Sequence, residues 1–252
     1  MRVDLHVHAM ELSACAVAGE VEMIQAAIDC GLDAIALTNH DRFVPSQRLE
    51  DLNRRFAPFR IFPGIEISVT DDEHIIVLGV QNSDLQTFCW SYAELHAFVR
   101  RRNGLLILAH PYRYRDIIAA PVEEYPPDAV ELHSVNTGAD DEEAIRALAK
   151  RLGCRLICNS DAHAPQEVGA YHSRLNRPAT TEAELLEILR TGAYECADLA
   201  DRVADINHQV DAREQEIRQL IDTGHDRHAY RHRTGHWEGY FDRVARGKSY
   251  RI

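Results

Sequence analysis

Two histidines one residue apart, His6 and His8, stand near the end of the first apolar run, Val-Asp-Leu-His-Val-His. Alternate side chains of a β-strand point to the same face, so both imidazoles should project from one side of a strand. Two imidazoles on one face form half of a typical zinc-type site. Further residues of ligand-forming type follow other apolar runs: His40, Glu66, His110, His133, Asp161 and His163. Their recurrence at the ends of predicted strands indicates a metal centre rather than packing.

The alternative interpretation, solvated polar side chains on exposed strands, fits the sequence less well. Glu66 lies between Ile65 and Ile67, and an unpaired carboxylate or imidazole on a buried strand is costly. For His74, beside three acidic residues, a surface position and a ligand role are both open. Asp4 fits a role behind the ligands, orienting a neighbouring loop or side chain, better than direct metal binding.

Short apolar strands alternate with amphipathic helices along the first 200 residues. The predicted strands cover 3–8, 33–38, 60–62 continuing as 65–69, 75–80, 105–109, 129–132 and 155–158, and the predicted helices cover about 20–30, 46–56, 92–102, 140–152 and 182–190. Near-continuous apolar strands between helices are typical of parallel strands buried on both faces. About seven such strands in this length predict an α/β barrel, in which the chemistry lies at the carboxyl ends of the strands.

The sequence changes character after about Cys196, so we predict a barrel over 1–198 and a C-terminal helix and tail over 199–252. Residues 201–221 predict one long polar helix, which could serve as an interface in an oligomer of unknown size. Residues 225–252 carry seven Lys and Arg against three Asp and Glu, a balance of 7 − 3 = +4. This basic tail, which contains several histidines and aromatic residues, could be a docking segment, a lid or partly disordered.

Composition narrows the class of protein. With 252 residues, 45% hydrophobic and 27% charged, the chain is typical of soluble globular proteins. The chain starts almost directly in a strand, which leaves no room for a signal peptide. No apolar run approaches the roughly 20 residues that span a bilayer. Six cysteines without a Cys-x-x-Cys pair predict reduced thiols and a cytoplasmic protein. A net charge of −12 disfavours broad attraction to nucleic acid, although a local basic groove remains open.

Five motifs occur in a characteristic order: Asp-Leu-His-Val-His at 4–8, Thr-Asn-His-Asp at 38–41, Pro-Gly-Ile-Glu at 63–66, Ala-His-Pro at 109–111 and Ser-Asp-Ala-His at 160–163. Together they resemble the PHP family, named after polymerase and histidinol phosphatase, and Asp-Glu-His-Ile-Ile-Val-Leu-Gly at 72–79 is similar to a further stretch of it. The resemblance covers about residues 1–198. It implies a distorted (β/α)7 TIM-like barrel with two to three divalent metals, often zinc, manganese or iron, and hydrolysis of phosphoesters.

The resemblance also implies a ligand set. One metal would be held by His6, His8, Glu66 and Asp161. Glu66 would bridge to a second metal held by His110, with His74 as a further candidate, and a third metal would belong to His40 and His163. Two positions depart from the family pattern. Ala14 stands where the family usually has an Asp or His, with Glu11 or Cys15 as substitutes, and Asn39 replaces the common Asp. The third site is therefore expected to be empty, weak or completed by another ligand.

Three functions remain open. The first is a phosphoesterase for a small phosphomonoester or nucleotide, with Glu66, Asp161 and Arg113 as catalytic residues and a hydroxide held between two metals. Arg113 is the arginine best placed to bind phosphate, ahead of Arg115 and Arg174, and His133 is at most a pocket residue. The second is a nuclease whose basic aromatic tail grips single strands. The third is a metal-binding module without catalysis.

Overall fold

The computed structural model describes residues 1–113 and 115–252. The strands are β1 Arg2–Val7, β2 Ala34–Leu37, β3 Arg60–Ser68, β4 His74–Leu78, β5 Leu105–Leu108, β6 Ala129–His133, β7 Arg155–Cys158, β8 Tyr171–Leu175 and β9 Tyr194–Asp198. The helices are α1 Glu20–Asp29, α2 Ser46–Arg55, α3 Tyr92–Arg100, α4 Glu142–Leu152, α5 Glu182–Thr191, α6 Ala200–Asp222, α7 Arg227–Thr234 and α8 Glu238–Ala245. Two short 3₁₀ helices cover Ser83–Gln86 and Ala139–Asp141.

The strands form one sheet in the order β7-β6-β5-β4-β3-β2-β1-β8-β9, which curls into a nearly closed barrel. Neighbours β1, β2 and β3 run parallel, as do β5, β6 and β7. The pairs β3–β4, β4–β5, β1–β8 and β8–β9 are antiparallel. The predicted α/β barrel is confirmed, and the expectation of uniformly parallel strands is wrong for β4, β8 and β9.

The departures at β4 and at β8 and β9 have different origins. Strand β4 follows β3 through a tight turn around Asp72, whose φ is +59°, so the two strands form a hairpin. Strands β8 and β9 were not predicted because Tyr-His-Ser-Arg-Leu and Tyr-Glu-Cys-Ala-Asp contain no apolar run. Their pairing closes the barrel through contacts that a local pattern does not encode.

The helices begin and end where side chains satisfy their terminal groups. Ser91 and Glu94 form a reciprocal capping box at the start of α3, and Thr181 and Glu184 do the same for α5. Helix α4 ends at Gly153, whose φ of +67° is the left-handed conformation that glycine adopts without steric cost. These signals fix the helix ends near their predicted positions.

The core consists of apolar clusters on several sides of the sheet. One packs β3–β6 against α3 and α4, another packs β1, β2 and β5 against α5, and a third packs β1 and β2 against α1 and α2. A separate cluster joins α6, α7 and α8 through Val210, Ile217, Tyr230, Phe241 and Tyr250. The basic tail is therefore folded as two helices on α6. None of the described helices combines the length and apolar content needed to cross a membrane.

The cysteine expectation needs a correction. Cys158 at the end of β7 and Cys196 in β9 form a disulfide, with their Cα atoms 5.2 Å apart. The other four cysteines are free thiols. The sequence separates the pair by 38 residues, and only the unpredicted strand β9 brings the two sulfurs together. The prediction of six reduced thiols is wrong for this pair.

Candidate metal centre

The structure brings all eight predicted ligands to one end of the barrel. His6 lies in β1 and His8 just beyond it, His40 follows β2, Glu66 lies near the end of β3, His110 follows β5, and Asp161 and His163 follow β7. His74 begins β4 rather than ending it. Because β4 is antiparallel to β3, with His74 opposite Ser68, its first residue lies at the same edge as the ends of the neighbouring strands.

Glu66 is the centre of this cluster. Its Oε1 lies 2.9 Å from His74 Nδ1, 3.1 Å from His110 Nε2 and 3.4 Å from His6 Nε2. Its Oε2 lies 2.8 Å from His40 Nδ1 and 3.2 Å from His8 Nε2. One carboxylate that faces five imidazoles with its two oxygens has the geometry of a ligand that bridges two cations.

Asp161 is the second acidic centre. Its Oδ1 lies 3.2 Å from the Nε2 atoms of both His6 and His8. Its Oδ2 accepts a hydrogen bond from Asn136 Nδ2 at 2.8 Å. Asn136 therefore fixes one carboxylate oxygen and leaves the other facing the two imidazoles. Sequence reasoning missed Asn136, which lies in a loop without a motif.

The buried donor atoms test whether the cluster fits metal ions. Within the described part of the chain, five of them form no hydrogen bond of acceptable geometry, although they lie 2.8–3.2 Å from one another: His6 Nε2, His8 Nε2, His40 Nδ1, Glu66 Oε2 and Asp161 Oδ1. Buried polar atoms are normally paired, and leaving several unsatisfied in one place is costly. Imidazole and carboxylate donors are the ligands that zinc and related divalent ions take. The residues present therefore fit divalent metals.

The charges of the cluster suit the same interpretation. Burial alone would raise the pKa of the Glu66 carboxyl, but His74, His6 and His40 hold it well below its ordinary value. Burial would likewise raise the pKa of Asp161, and His6 and His8 lower it. Burial lowers the pKa of His8 to about 3. Ionised carboxylates and a neutral His8 imidazole are protonation states that metal binding requires. Burial would also lower the pKa values of His6 and His40, but without a metal the carboxylates raise that of His6 well above its ordinary value and that of His40 to about 10, so a metal would have to displace their protons.

A carboxylate behind His6 fixes the orientation of that ring. Glu131 Oε1 accepts hydrogen bonds from His6 Nδ1 at 3.1 Å and from Asn159 Nδ2 at 3.0 Å, and its Oε2 accepts from the His110 backbone N–H at 2.9 Å. When Nδ1–H donates its hydrogen bond to Glu131, Nε2 is the ring atom of His6 that faces the cluster and can bind a metal. Sequence reasoning missed Glu131, although its place between Val130 and Leu132 gave the same signal that identified Glu66.

Asn39 has a structural role beside the cluster. Its Oδ1 accepts hydrogen bonds from the Ala9 backbone N–H at 2.8 Å and from Ser13 Oγ at 3.0 Å. Ser13 Oγ lies 3.2 Å from His8 Nδ1. The Asn39 side chain thus orients His8 through Ser13. Asp4 acts similarly on another loop, since it accepts hydrogen bonds from the backbone N–H groups of Ser160 and Gly169, both at 3.0 Å.

Two of the donor residues have an unusual backbone conformation. His110 has a φ of +28° and Asp161 a φ of +54°. Left-handed conformations cost non-glycine residues of order 1 kcal/mol or more, and they cluster at functional sites. Both residues follow a strand directly, so the strained turn aims each side chain back across the end of the barrel.

The two histidines of the predicted third site lie together with His8. His8, His40 and His163 offer donor atoms that lie within 4.8 Å of one another. Ala14 is exposed and offers no donor. Glu11 faces elsewhere, because its carboxylate accepts hydrogen bonds from the Glu20 backbone N–H at the start of α1.

Cys15 is the other substitute considered for the third site, and it lies beside this group. Burial would raise the pKa of its thiol, but hydrogen bonds with His163 and His40 lower that pKa to about 6.

Arg113 lies at the entrance to the cluster. Its Nη1 is 3.8 Å from Asp161 Oδ2, and its guanidinium carbon lies 4.9 Å from the centroid of the Trp237 ring. Arg115 instead pairs with Asp72 at 3.3 Å.

Two other predicted positions lie outside the cluster. Arg174 is exposed in β8, where it stands opposite Arg2 and Glu195. His133 stacks on Tyr171 with ring centroids 5.0 Å apart. Of the arginines considered from the sequence, the structure therefore places Arg113 at the cluster.

A cavity of about 610 Å³ opens above the donor cluster. One wall belongs to the barrel and includes His40, His74, Arg113 and His163. The opposite wall belongs to the C-terminal helices and includes Gln209, Arg213, His236, Trp237 and Tyr240. A lid was one of the three roles that the sequence left open for the tail, and the residues of the tail that reach the cavity were not predicted because the contacts are long-range.

One family model matches part of the chain. A family model described as PHP-associated matches residues 142–194, from α4 to the first residue of β9. No curated protein sequence matches the chain.

Several solved structures have a similar fold. PsfC from Pseudomonas syringae PB-5123 is 18% identical, with a TM-score of 0.60, and the match covers 82% of this chain and 96% of PsfC. A two-domain protein from Bacteroides vulgatus containing a predicted PHP-like metal-dependent phosphoesterase is 13% identical, with a TM-score of 0.56, over 79% of this chain and 64% of that one. An amidohydrolase from Chromobacterium violaceum with bound sulfate is 19% identical, with a TM-score of 0.51. The match covers 67% of this chain and 90% of the amidohydrolase. The family model and these folds agree with the sequence motifs, and together they support the PHP family for this chain.

Proposed function

We propose that the protein is a metal-dependent phosphoesterase that hydrolyses a small phosphate monoester. The observation that carries the proposal is the buried cluster of imidazoles around the carboxylates of Glu66 and Asp161, at the base of a cavity that also contains Arg113. His6, His8, Glu66 and Asp161 would hold one metal, and Glu66, His110 and His74 a second. When bound, such metals activate water and neutralise charge on phosphoryl oxygens.

The chain's own residues supply the rest of the chemistry. The Arg113 guanidinium is a planar donor that matches phosphate oxygens, and it lies at the edge of the cluster on the cavity side. Asn136 and Glu131 keep Asp161 and His6 in their orientations through hydrogen bonds. The cavity walls on both sides restrict water around a bound ester, which strengthens these electrostatic interactions.

The size of the cavity and the fold of the tail favour a small substrate over a nucleic acid strand. The aromatic residues Tyr230, Phe241 and Tyr250 are buried in the core of α6–α8. Trp237 is 40% exposed but lies against Arg113 inside the cavity. A surface that binds single-stranded nucleic acid needs aromatic faces exposed in a row along a basic groove. The aromatic residues of the tail do not form such a row.

The test is metal analysis of the purified protein together with hydrolysis assays after loading with manganese, zinc or iron. The substrates are a phosphomonoester, a phosphodiester, nucleotides and a short oligonucleotide. We expect release of inorganic phosphate from monoesters, and loss of more than about 1000-fold in rate for Glu66→Gln and Asp161→Asn, as for essential groups of an active site. Glu50→Gln, on the exposed face of α2, is the matched control.

Other results of these assays would favour a different function. Preferred cleavage of the oligonucleotide would replace the monoesterase by a nuclease. Bound metal without turnover of any substrate would support the non-catalytic metal-binding module. Near-normal rates in metal-loaded Glu66→Gln protein would remove Glu66 from the catalytic centre.

A further inference from the structure

Arg213 differs from most basic residues of the C-terminal helices. Arg218, Arg227, Arg243, Lys248 and Arg251 each pair with a carboxylate within 3.1 Å. Around Arg213 no Asp or Glu of the described chain lies within ion-pair distance, although the side chain is partly buried. A guanidinium that is partly removed from water normally acquires a hydrogen-bonded acidic partner.

Arg213 acts electrostatically on two tyrosines and a histidine. Its charge lowers the pKa values of Tyr240 and Tyr250 against the larger effect of burial, and it adds to burial in lowering the pKa of His236. These three side chains line the cavity together with Arg213. The guanidinium thus shares one wall of the cavity with these three rings.

The C-terminal wall of the cavity contains no acidic side chain. Its members are Ile206, Gln209, Val210, Arg213, Gly235, His236, Trp237, Tyr240 and Tyr250. On the barrel side, Glu167 lines the cavity, and its carboxylate accepts hydrogen bonds from the backbone N–H groups of His163 and Ala164. An anion that enters the cavity would thus meet positive potential at two places, Arg113 beside the donor cluster and Arg213 on the opposite wall.

We propose that Arg213 is a specificity-determining residue that binds a second anionic group of the substrate. The inference rests on the proposed function, which assigns the ester phosphate to the donor cluster and Arg113. The preferred substrate is then a phosphate ester that also carries a carboxylate or a second phosphate. Both groups offer the paired oxygens that a guanidinium binds bidentately. The cavity of about 610 Å³ is of the size that encloses such a small molecule.

The experiment compares ligands that differ only in the second anion. A series of phosphonocarboxylates and a series of bisphosphonates, each of increasing chain length, are titrated into the metal-loaded protein beside alkylphosphonates of equal length. The corresponding phosphate esters are assayed for kcat/KM in parallel. The variants are Arg213→Gln, Arg213→Lys and the control Arg231→Gln, which removes one positive charge from an exposed position of α7.

We expect the unmodified protein to prefer the doubly anionic ligand about 10- to 100-fold at the best chain length, the range of a hydrogen bond to a charged group. Arg213→Gln should abolish this preference and leave the alkylphosphonates within about twofold, Arg213→Lys should restore part of it, and Arg231→Gln should retain it. The series with the larger Arg213-dependent preference distinguishes a carboxylate from a second phosphate.

Two results would overturn the inference: no preference at any chain length, or a preference that persists in Arg213→Gln. Failure of the proposed function looks different. Arg213-dependent binding of the acid-bearing phosphonates without hydrolysis of any ester would contradict the phosphoesterase and leave the anion site standing. If no phosphonate binds, both proposals are wrong.

Discussion

The His6 imidazole depends on a residue that does not itself face the cluster. Glu131 accepts hydrogen bonds from His6 Nδ1–H, from the Asn159 side chain and from the His110 backbone N–H. A glutamine at 131 would turn an N–H₂ group toward one of these donors. We expect Glu131→Gln to weaken metal binding about 10- to 100-fold, as for partners that orient ligands elsewhere. Competition with a chelating dye measures the affinity, and unchanged binding would contradict the role.

The control for this change is Glu123→Gln. Glu123 is an exposed carboxylate that pairs with Arg151 at 2.6 Å rather than with a residue of the cluster. Its loss should leave metal affinity unaltered. If both variants weaken binding equally, the effect would reflect the protein's net charge rather than the orientation of His6.

The Cys15 thiol tests how two neighbouring histidines affect its pKa in the metal-free protein. Burial would raise the pKa of its thiol, and hydrogen bonds with His163 and His40 lower it to about 6. The thiolate is the reactive form, so the rate of alkylation by iodoacetamide should rise as pH passes through about 6 and level off above it. Mass spectrometry of the Cys15 peptide follows the reaction. A rate that still climbs steeply in alkaline buffer would show that the two histidines do not stabilise the thiolate.

The sequence predicted the candidate ligands that combine a motif with an apolar context, and it missed two supporting residues that lack one or both of these signals. Glu66 has both signals, whereas Glu131 has only the apolar neighbours Val130 and Leu132. Asn136 has neither. The general positions of the ligands follow from strand alternation, but which partner orients each ring depends on contacts between β1, β6 and β7 that no local pattern encodes.

At the scale of elements, the antiparallel strand β4 shows what such contacts add. The sequence left the role of His74 open because this residue starts a strand beside three acidic residues, which also fits a surface position. The β3–β4 hairpin reverses the strand and places His74 Nδ1 2.9 Å from Glu66 Oε1. Strand direction, which depends on the turn at 69–73, therefore places His74 at the cluster.

The segment that begins α8 is expected to position Arg113. Trp237 lies just before α8, and the Arg113 guanidinium carbon is 4.9 Å from its ring centroid. A Cβ at position 239 would collide with this ring, so Gly239 allows the indole to lie close to the backbone. Cation–π contacts contribute about 0.5–2 kcal/mol. Trp237→Leu should therefore lower kcat/KM for a phosphate ester about 2- to 30-fold, while Trp237→Phe should retain most of the activity.

A double-mutant cycle separates positioning from general damage. In an Arg113→Gln background, Trp237→Leu should cause little further loss, because the group that it positions is already absent. Additive losses in the double variant would show that Trp237 acts independently of Arg113.

At the scale of the whole molecule, a buried ion pair joins the C-terminal helices to the barrel. Arg243 of α8 lies 2.6 Å from Asp141, and the two side chains are 5% and 3% exposed. Gly138 makes room for it, since a Cβ there would collide with the guanidinium. Lys248 also reaches Asp141, at 3.0 Å. The wall of the cavity that contains Arg213 and Trp237 is thus held in place by charges outside the cavity.

Removal of one partner from such a pair leaves a buried charge unsatisfied and typically costs about 3–5 kcal/mol. We expect Arg243→Met to lower the free energy of unfolding of the C-terminal helices by about this amount, with Lys248 moderating the loss. Limited proteolysis should then cut within 199–252 before the barrel, and urea unfolding should show an earlier transition. Arg246→Met, at an exposed position of the same segment whose contact with Asp116 is 3.9 Å, is the control. A single unchanged transition in Arg243→Met would mean that apolar packing, rather than this ion pair, holds the cavity wall against the barrel.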